Sequence, residues 1–222
     1  MNLFLLIPAI ILLVIVIFQF RTLIPRILSF LQPGNRHLYF EDNPQPPIDE
    51  LRREMIRPII EKMEALGFKQ LGIMVDKPPL WAKGTREITL ASNDRKVFAS
   101  VGFRSLKPSY FFYTPFSGGQ VVITGHNSFR NFHKDDFVTS VFSEDDMGEM
   151  LAVHQNQVKE FVNKGFTPFG DYTRETVIEA TNLYYRAPHP LRQLRIAGII
   201  NLLFILLCIF VCVILFLGAF PQ

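Results

Sequence analysis

The chain has 222 residues, of which 49% are hydrophobic and 19% charged, and its net charge is +3. That charge is too small to indicate a nucleic-acid-binding protein, and no nucleic-acid-binding motif is present. The 23 basic and 20 acidic residues all lie between residues 21 and 195. Both ends of the chain therefore have the composition of membrane segments, whereas the middle has that of a soluble domain.

The two uncharged ends contain long apolar runs. Residues 3–20 would extend about 27 Å as a helix, enough for the hydrocarbon core of a bilayer. Residues 196–220 are longer and could cross with some tilt. Because the first run lacks a charged n-region and a small-residue cleavage site, we interpret it as an anchor and not a signal peptide. The sequence therefore predicts a transmembrane helix at each end.

Basic residues flank only the inner ends of the two apolar runs. Such residues are enriched on the cytoplasmic side of membrane helices. This pattern predicts a multi-pass protein of the cell (inner) membrane, with both termini outside and the central domain in the cytoplasm. The flanking residues are Arg21, Arg26, Arg36, Arg186, Arg192 and Arg195.

Between the first anchor and the soluble domain lies a segment over residues 21–47. Residues 21–32 are amphipathic, so they could lie on the inner leaflet as a separate helix or continue the first helix with a bend at Pro25. The remainder is a proline-rich linker. We expect the soluble domain over residues 48–187 and a second linker over residues 188–195.

Within the soluble domain, apolar spacing predicts three helices and several strands. The helices are predicted over residues 49–66, 144–164 and 173–186, with Ser143 as the N-cap of the second and with Gly67 and Gly165 ending the first two. Strands are predicted near residues 68–75, 86–92, 96–103, 109–114, 120–125 and 137–142.

The order of these elements predicts an α+β fold. Short strands joined by tight turns indicate an antiparallel β-meander sheet. Since strands and helices are segregated along the chain, we expect the helices to cover one face of the sheet. The transmembrane helices would flank this domain.

Three histidines are weak candidates for a metal site. Transition metals bind imidazole and carboxylate groups in compact clusters, but His126, His133 and His154 follow no recognised ligand spacing. His154 lies on the apolar face of its predicted helix, which favours a core position. We therefore predict no metal ion and no cofactor.

Seven residues are candidates for contact with lipid or with a protein partner. The aromatic residues could line a ligand pocket or a partner surface, and the arginines could reach lipid headgroups. The two amides lie in the apolar runs and could bond to each other or to a partner helix. The candidates are Arg21, Arg26, Trp81, Tyr110, Phe112, Gln19 and Asn201.

No motif in the sequence is a catalytic signature, so we predict that the protein is not an enzyme. The first hypothesis is an accessory or scaffold subunit of a larger membrane complex, with membrane lipid and other subunits as partners. The alternatives are a membrane-tethered sensor or regulator that binds a small molecule or lipid, and an enzyme of unrecognised type.

Overall fold

A computed structural model describes residues 3–31, 36–42, 50–77, 84–104, 107–126, 131–134, 137–142 and 146–219 of the chain. These residues form five helices and one eight-stranded sheet. They divide into two compact units, a helical unit that contains both chain ends and an α+β unit over residues 38–76 and 84–187. The predicted α+β class is confirmed.

The helical unit consists of α1, Leu3–Leu31, and α5, Pro188–Ala219. The two helices pack together, and the Cys212 thiol donates a weak hydrogen bond of 3.6 Å to the Ala9 carbonyl oxygen. Helix α1 continues through residues 21–31 without a break. Of the two alternatives for this segment, the structure therefore shows the continuous helix.

One described stretch is long and apolar enough to cross a membrane. It is Leu191–Ala219 of α5, with a mean hydropathy of 3.3. In α1 the described apolar stretch is only Leu6–Ile17, which is about 18 Å long and shorter than a hydrocarbon core of roughly 30 Å. By length and composition, the described residues therefore support one membrane span, and the second span stays a prediction.

The strands of the α+β unit follow the predicted positions closely. Two further strands, β1 and β7, lie in segments that were predicted as linker and loop. The bounds are β1 His37–Phe40, β2 Phe68–Lys77, β3 Thr85–Ser92, β4 Phe98–Arg104, β5 Lys107–Pro115, β6 Val121–His126, β7 Phe132–Lys134 and β8 Phe137–Phe142.

The sheet is antiparallel from β2 to β6 but does not continue as a meander. Its order is β1-β2-β3-β4-β5-β6-β8-β7, and β8 pairs with β6 in parallel. Strand β7 pairs antiparallel with the outer side of β8. After β6 the chain forms the edge strand β7 and then returns as β8, which lies between β6 and β7. Local turn signals do not predict this order.

The helices of this unit cover both faces of the sheet. Helices α2, Glu50–Ala65, and α3, Met147–Asn163, pack on one face, and α4, Arg174–Arg186, packs on the other. The expectation of one covered face was wrong. Consecutive apolar residues in β5 and β6 already indicate burial on both sides, as in Val121-Val122-Ile123.

Helix α3 begins later than predicted. Its N-cap is Asp146, whose carboxylate accepts a hydrogen bond of 2.9 Å from the Glu149 backbone N–H. This arrangement satisfies one of the free donors of the first turn. The predicted cap Ser143 lies outside the described residues.

Candidate functional site

A cavity of about 260 Å³ lies between the sheet and α4. Strands β2 to β6 form its floor, and the C-terminal half of α4 forms the opposite wall. The walls are mainly apolar, with a few polar groups among them. The polar groups include Asp76, Glu87, Ser100, Tyr113, Thr181 and Tyr185.

A β-bulge in β2 brings part of that strand to the cavity. Phe68 belongs to the core under α2, and alternation alone would place Met74 on the same face. The register shifts between Gln70 and Gly72, so Met74 instead joins the core on the α4 face. The bulge therefore decides that Met74 and Asp76 line the cavity.

The floor of the cavity follows from the register of β3, β4 and β5. Glu87 lies on β3, and the hydroxyl of Ser100 on β4 donates a short hydrogen bond to Glu87 Oε2. Phe111 and Tyr113 of β5 complete this part of the floor. Tyr110 and Phe112, the alternate residues of β5, face the opposite core under α2 and α3.

Helix α4 presents residues 180, 181, 184 and 185 to the cavity, which is the spacing of one helical face. The small side chain of Ala180 leaves room at the centre of this wall. Thr173 caps the helix through a reciprocal capping box with Thr176. Arg174 fixes the same end to the sheet by donating a hydrogen bond of 2.6 Å to the Leu71 carbonyl oxygen.

Glu87 is an acidic group in a poorly solvated position. Burial raises the pKa of the Glu87 carboxyl, the hydrogen bond from Ser100 opposes that shift, and the negative charge of Asp76 adds to it. Asp76 itself accepts a hydrogen bond of 2.9 Å from the Tyr185 hydroxyl. The cavity therefore holds two carboxyl groups, one of which is shifted towards its neutral form.

The Tyr113 hydroxyl is the most unusual polar group of the cavity. The side chain is only 9% exposed, and its hydroxyl has no hydrogen-bond partner among the described residues. Burial and then the charge of Glu87 raise the pKa of Tyr113, while the nearby Thr181 hydroxyl opposes the shift without the geometry of a hydrogen bond. At neutral pH this hydroxyl is thus a buried donor without an acceptor, which is costly unless a ligand supplies one.

His154, one of the three metal candidates, is fully buried in the opposite core. Its Nε2 lies 3.0 Å from the Thr114 hydroxyl and its Nδ1 lies 3.0 Å from the Thr124 hydroxyl. Thr114 donates to the Lys96 carbonyl oxygen, so its own oxygen can accept a hydrogen bond from a protonated Nε2. The prediction of a core histidine is confirmed.

The other two histidines lie apart from this network. His126 stacks in parallel on Tyr110 at 5.3 Å, and His133 is exposed on the edge strand β7. Among the described residues, no three His, Cys, Asp or Glu side chains are grouped so that they could hold a metal ion.

The structure places the predicted contact residues in different environments. Tyr110 and Phe112 are core residues, so their proposed role at a partner surface is corrected. Asn201 donates a hydrogen bond of 2.8 Å to the Ala197 carbonyl oxygen within its own helix. Trp81 lies outside the described residues, as do the side chains of Gln19, Arg21 and Arg26.

Sequence reasoning missed every residue of the cavity. The sequence suggested an aromatic pocket near the meander lined by Tyr110, Phe112, Trp81 or Tyr172. Tyr110 and Phe112 lie on the opposite face of β5, Tyr172 is a core residue beside the cavity, and Trp81 lies outside the described residues. One sequence feature could have indicated the cavity. It is the Tyr184-Tyr185 pair near the end of an amphipathic helix, which faces the acid-bearing strands β2 and β3. No protein-family model, curated protein or solved structure matched this chain.

Proposed function

We propose that the α+β unit is a binding module for a small, largely apolar molecule, and that the protein acts as a membrane-tethered sensor or regulator. The observation that carries this proposal is the buried Tyr113 hydroxyl without a partner, in a cavity of about 260 Å³. An apolar cavity of about 150 Å³ is large enough to hold benzene. The space therefore suits a ligand of somewhat more than one ring that offers a hydrogen-bond acceptor to Tyr113.

Chain connectivity supports a regulatory role. Helix α4 ends at Arg186 and α5, which contains the candidate membrane span, begins at Pro188. A ligand that orders Tyr184 and Tyr185 thus acts on the residues that immediately precede α5. Binding energy can shift a protein between states only through such differential contacts.

The proposal includes the topology expected from the sequence. We propose that α1 crosses the membrane as well as α5, with both termini outside and the α+β unit in the cytoplasm. The flanking arginines support this orientation. The role of an accessory subunit with other subunits as partners, and the absence of enzymatic activity, stay predictions.

Two buried tyrosines provide a matched test of the binding role. Replacing Tyr113 with Phe removes an unpaired hydroxyl, so we expect the free energy of unfolding to stay the same or to rise by about 1 kcal/mol. Replacing Tyr172 with Phe removes a hydroxyl that donates a hydrogen bond of 2.6 Å to the Lys96 carbonyl oxygen. That change should lower the free energy of unfolding by about 1 kcal/mol.

The same pair of variants separates stability from binding. Native mass spectrometry of the full chain, released from its membrane in mild detergent, should show a retained small molecule in the wild type and in Tyr172→Phe. Tyr113→Phe should retain less of it. If Tyr113→Phe destabilises the fold as much as Tyr172→Phe does, or retains the molecule fully, the cavity is not a binding site of this kind.

A further inference from the structure

The charge of the cavity wall restricts the class of ligand. Asp76 and Glu87 both line the cavity, and no Lys, Arg or His occurs among the described residues of its lining. A carboxylate or phosphate ligand would enter a site whose described lining has two acidic groups and no basic side chain. Such an arrangement disfavours anions, because an uncompensated buried charge is expensive.

Among the described residues, Glu87 forms no ion pair with a basic side chain. Its contacts among the described residues are the hydrogen bond from Ser100 and the electrostatic influence of Asp76 and Tyr113, none of which is a cation. The neighbouring Arg86 forms an ion pair of 2.8 Å with Glu41 instead. A cation in the cavity would supply the positive charge that the described lining residues do not provide.

The aromatic lining suits a cation that carries an apolar body. Among the described residues, four rings border the space, those of Phe111, Tyr113, Tyr184 and Tyr185. Tyr184 and Tyr185 meet edge to face at 5.4 Å, and Phe111 is tilted against Tyr113 at 5.6 Å. Ring faces attract organic ammonium groups, most strongly where water is excluded.

We infer that the cavity binds a small organic ammonium ion, with the Glu87 carboxylate as its counter-ion and the four rings around its apolar part. This inference rests on the proposed binding function and names the class of its ligand. An ammonium group beside Glu87 would favour the ionised carboxylate, which burial and the negative charge of Asp76 otherwise disfavour. The Tyr113 hydroxyl donates a hydrogen bond to any acceptor atom that the ligand carries.

Three probes of nearly equal shape and different charge test this inference. The probes are 2-phenylethylamine, 2-phenylethanol and 3-phenylpropionate, titrated calorimetrically at pH 7 into the full chain in lipid nanodiscs, with empty nanodiscs as the blank. We expect the amine to bind roughly 10-fold to 100-fold more tightly than the alcohol, as a charge-assisted hydrogen bond predicts. The propionate should bind more weakly than the alcohol.

Glu87→Gln keeps the shape and the hydrogen bond to Ser100 but removes the charge. In this variant we expect the amine to bind no more tightly than the alcohol, whereas the affinity for the alcohol stays within about 3-fold of the wild-type value. Glu160→Gln, on the exposed side of α3, is the matched control and should leave all three affinities unchanged. If Glu87→Gln fails to fold, the order of the three affinities in the wild type still decides the question.

The possible results separate the two proposals. If the alcohol or the propionate binds as tightly as the amine, or if the preference for the amine survives Glu87→Gln, the ammonium assignment is overturned while the binding function stands. If none of the three probes binds, both the assignment and the proposed binding function fail.

Discussion

At the scale of single residues, two buried polar side chains of the α+β unit differ in their hydrogen bonding. His154 is fully buried, and both of its ring nitrogens have partners in Thr114 and Thr124. Tyr113 is almost as deeply buried, yet its hydroxyl has no partner among the described residues. A satisfied group stabilises a unique core, whereas an unsatisfied one carries the cost of desolvation without a hydrogen bond in return.

The His154 network predicts a loss of stability in mild acid. Burial lowers the pKa of His154 from its ordinary value of 6.5 to about 3, so the folded state binds fewer protons than the unfolded state. The free energy of unfolding therefore falls as the pH falls through the window from 6.5 to 3. From pH 7 to pH 5 this single group should cost about 2 kcal/mol.

The test compares the wild type with His154→Gln, which retains hydrogen-bonding groups but does not titrate. Chemical denaturation of the detergent-solubilised full chain at pH 7 and pH 5, followed by circular dichroism, gives the two free energies. The pH dependence of the wild type should exceed that of the variant by about 2 kcal/mol. Equal pH dependence would mean that His154 is not buried as a neutral group.

At the scale of elements, the bulge in β2 is the feature that creates the cavity wall. The bulge changes the face of the sheet to which the following side chains point. Phe68 therefore packs under α2, whereas Met74 packs under α4. Gly72 adopts a φ of 135°, a conformation that side-chain-bearing residues rarely adopt. Arg174 and Phe40 lie close to it, so β1, β2 and α4 meet at this glycine.

Replacing Gly72 with Ala should therefore strain both the backbone and its surroundings. The new Cβ would lie 3.1 Å from Arg174 Nη2 and 3.4 Å from the ring of Phe40. We expect the free energy of unfolding to fall by about 2 kcal/mol. Ligand affinity should fall with it, because Arg174 anchors the helix that forms the opposite wall.

Gly170→Ala is the control for this change. Gly170 is exposed, and a Cβ there would meet no atom within 4 Å. Thermal unfolding of both variants should show a lower midpoint for Gly72→Ala and less than about 0.5 kcal/mol of change for Gly170→Ala. Equal midpoints would show that β2 does not need the bulge at this position.

At the scale of the whole molecule, the chain joins an apolar helix pair to an α+β unit. The described part of α5 contains a stretch that is long enough to cross a bilayer, whereas the apolar stretch within the described residues of α1 covers only Leu6–Ile17. The membrane topology therefore depends on whether α1 crosses as well. The two arrangements place the N-terminus on opposite sides of the membrane.

Cysteine labelling distinguishes these arrangements, because the only native cysteines are Cys208 and Cys212 of α5. In a chain with both replaced by Ala, single cysteines at Asn2, Lys159 and Gln222 can be probed with an impermeant maleimide in intact cells. The proposed two-pass topology predicts labelling at residues 2 and 222 and protection at residue 159 until the cells are lysed. Protection at residue 2 together with labelling at residue 222 would show that only α5 crosses.

The sequence by itself determined the features that depend on local pattern. The uncharged ends, the three helices of the α+β unit and six of its strands follow from apolar spacing and turn residues, because each is set by neighbours along the chain. His154 could likewise be assigned to the core from its position on an apolar helix face.

The tertiary structure alone decided how these elements combine. A period of two shows that Phe111 and Phe112 face opposite sides of the sheet, but it does not show which side leaves a gap under a helix. The parallel return of β8 to β6, the bulge at Gly72 and the meeting of Asp76 with Glu87 beneath α4 all depend on contacts distant in sequence. Their free energies arise from packing across the fold, and local propensity does not contain them.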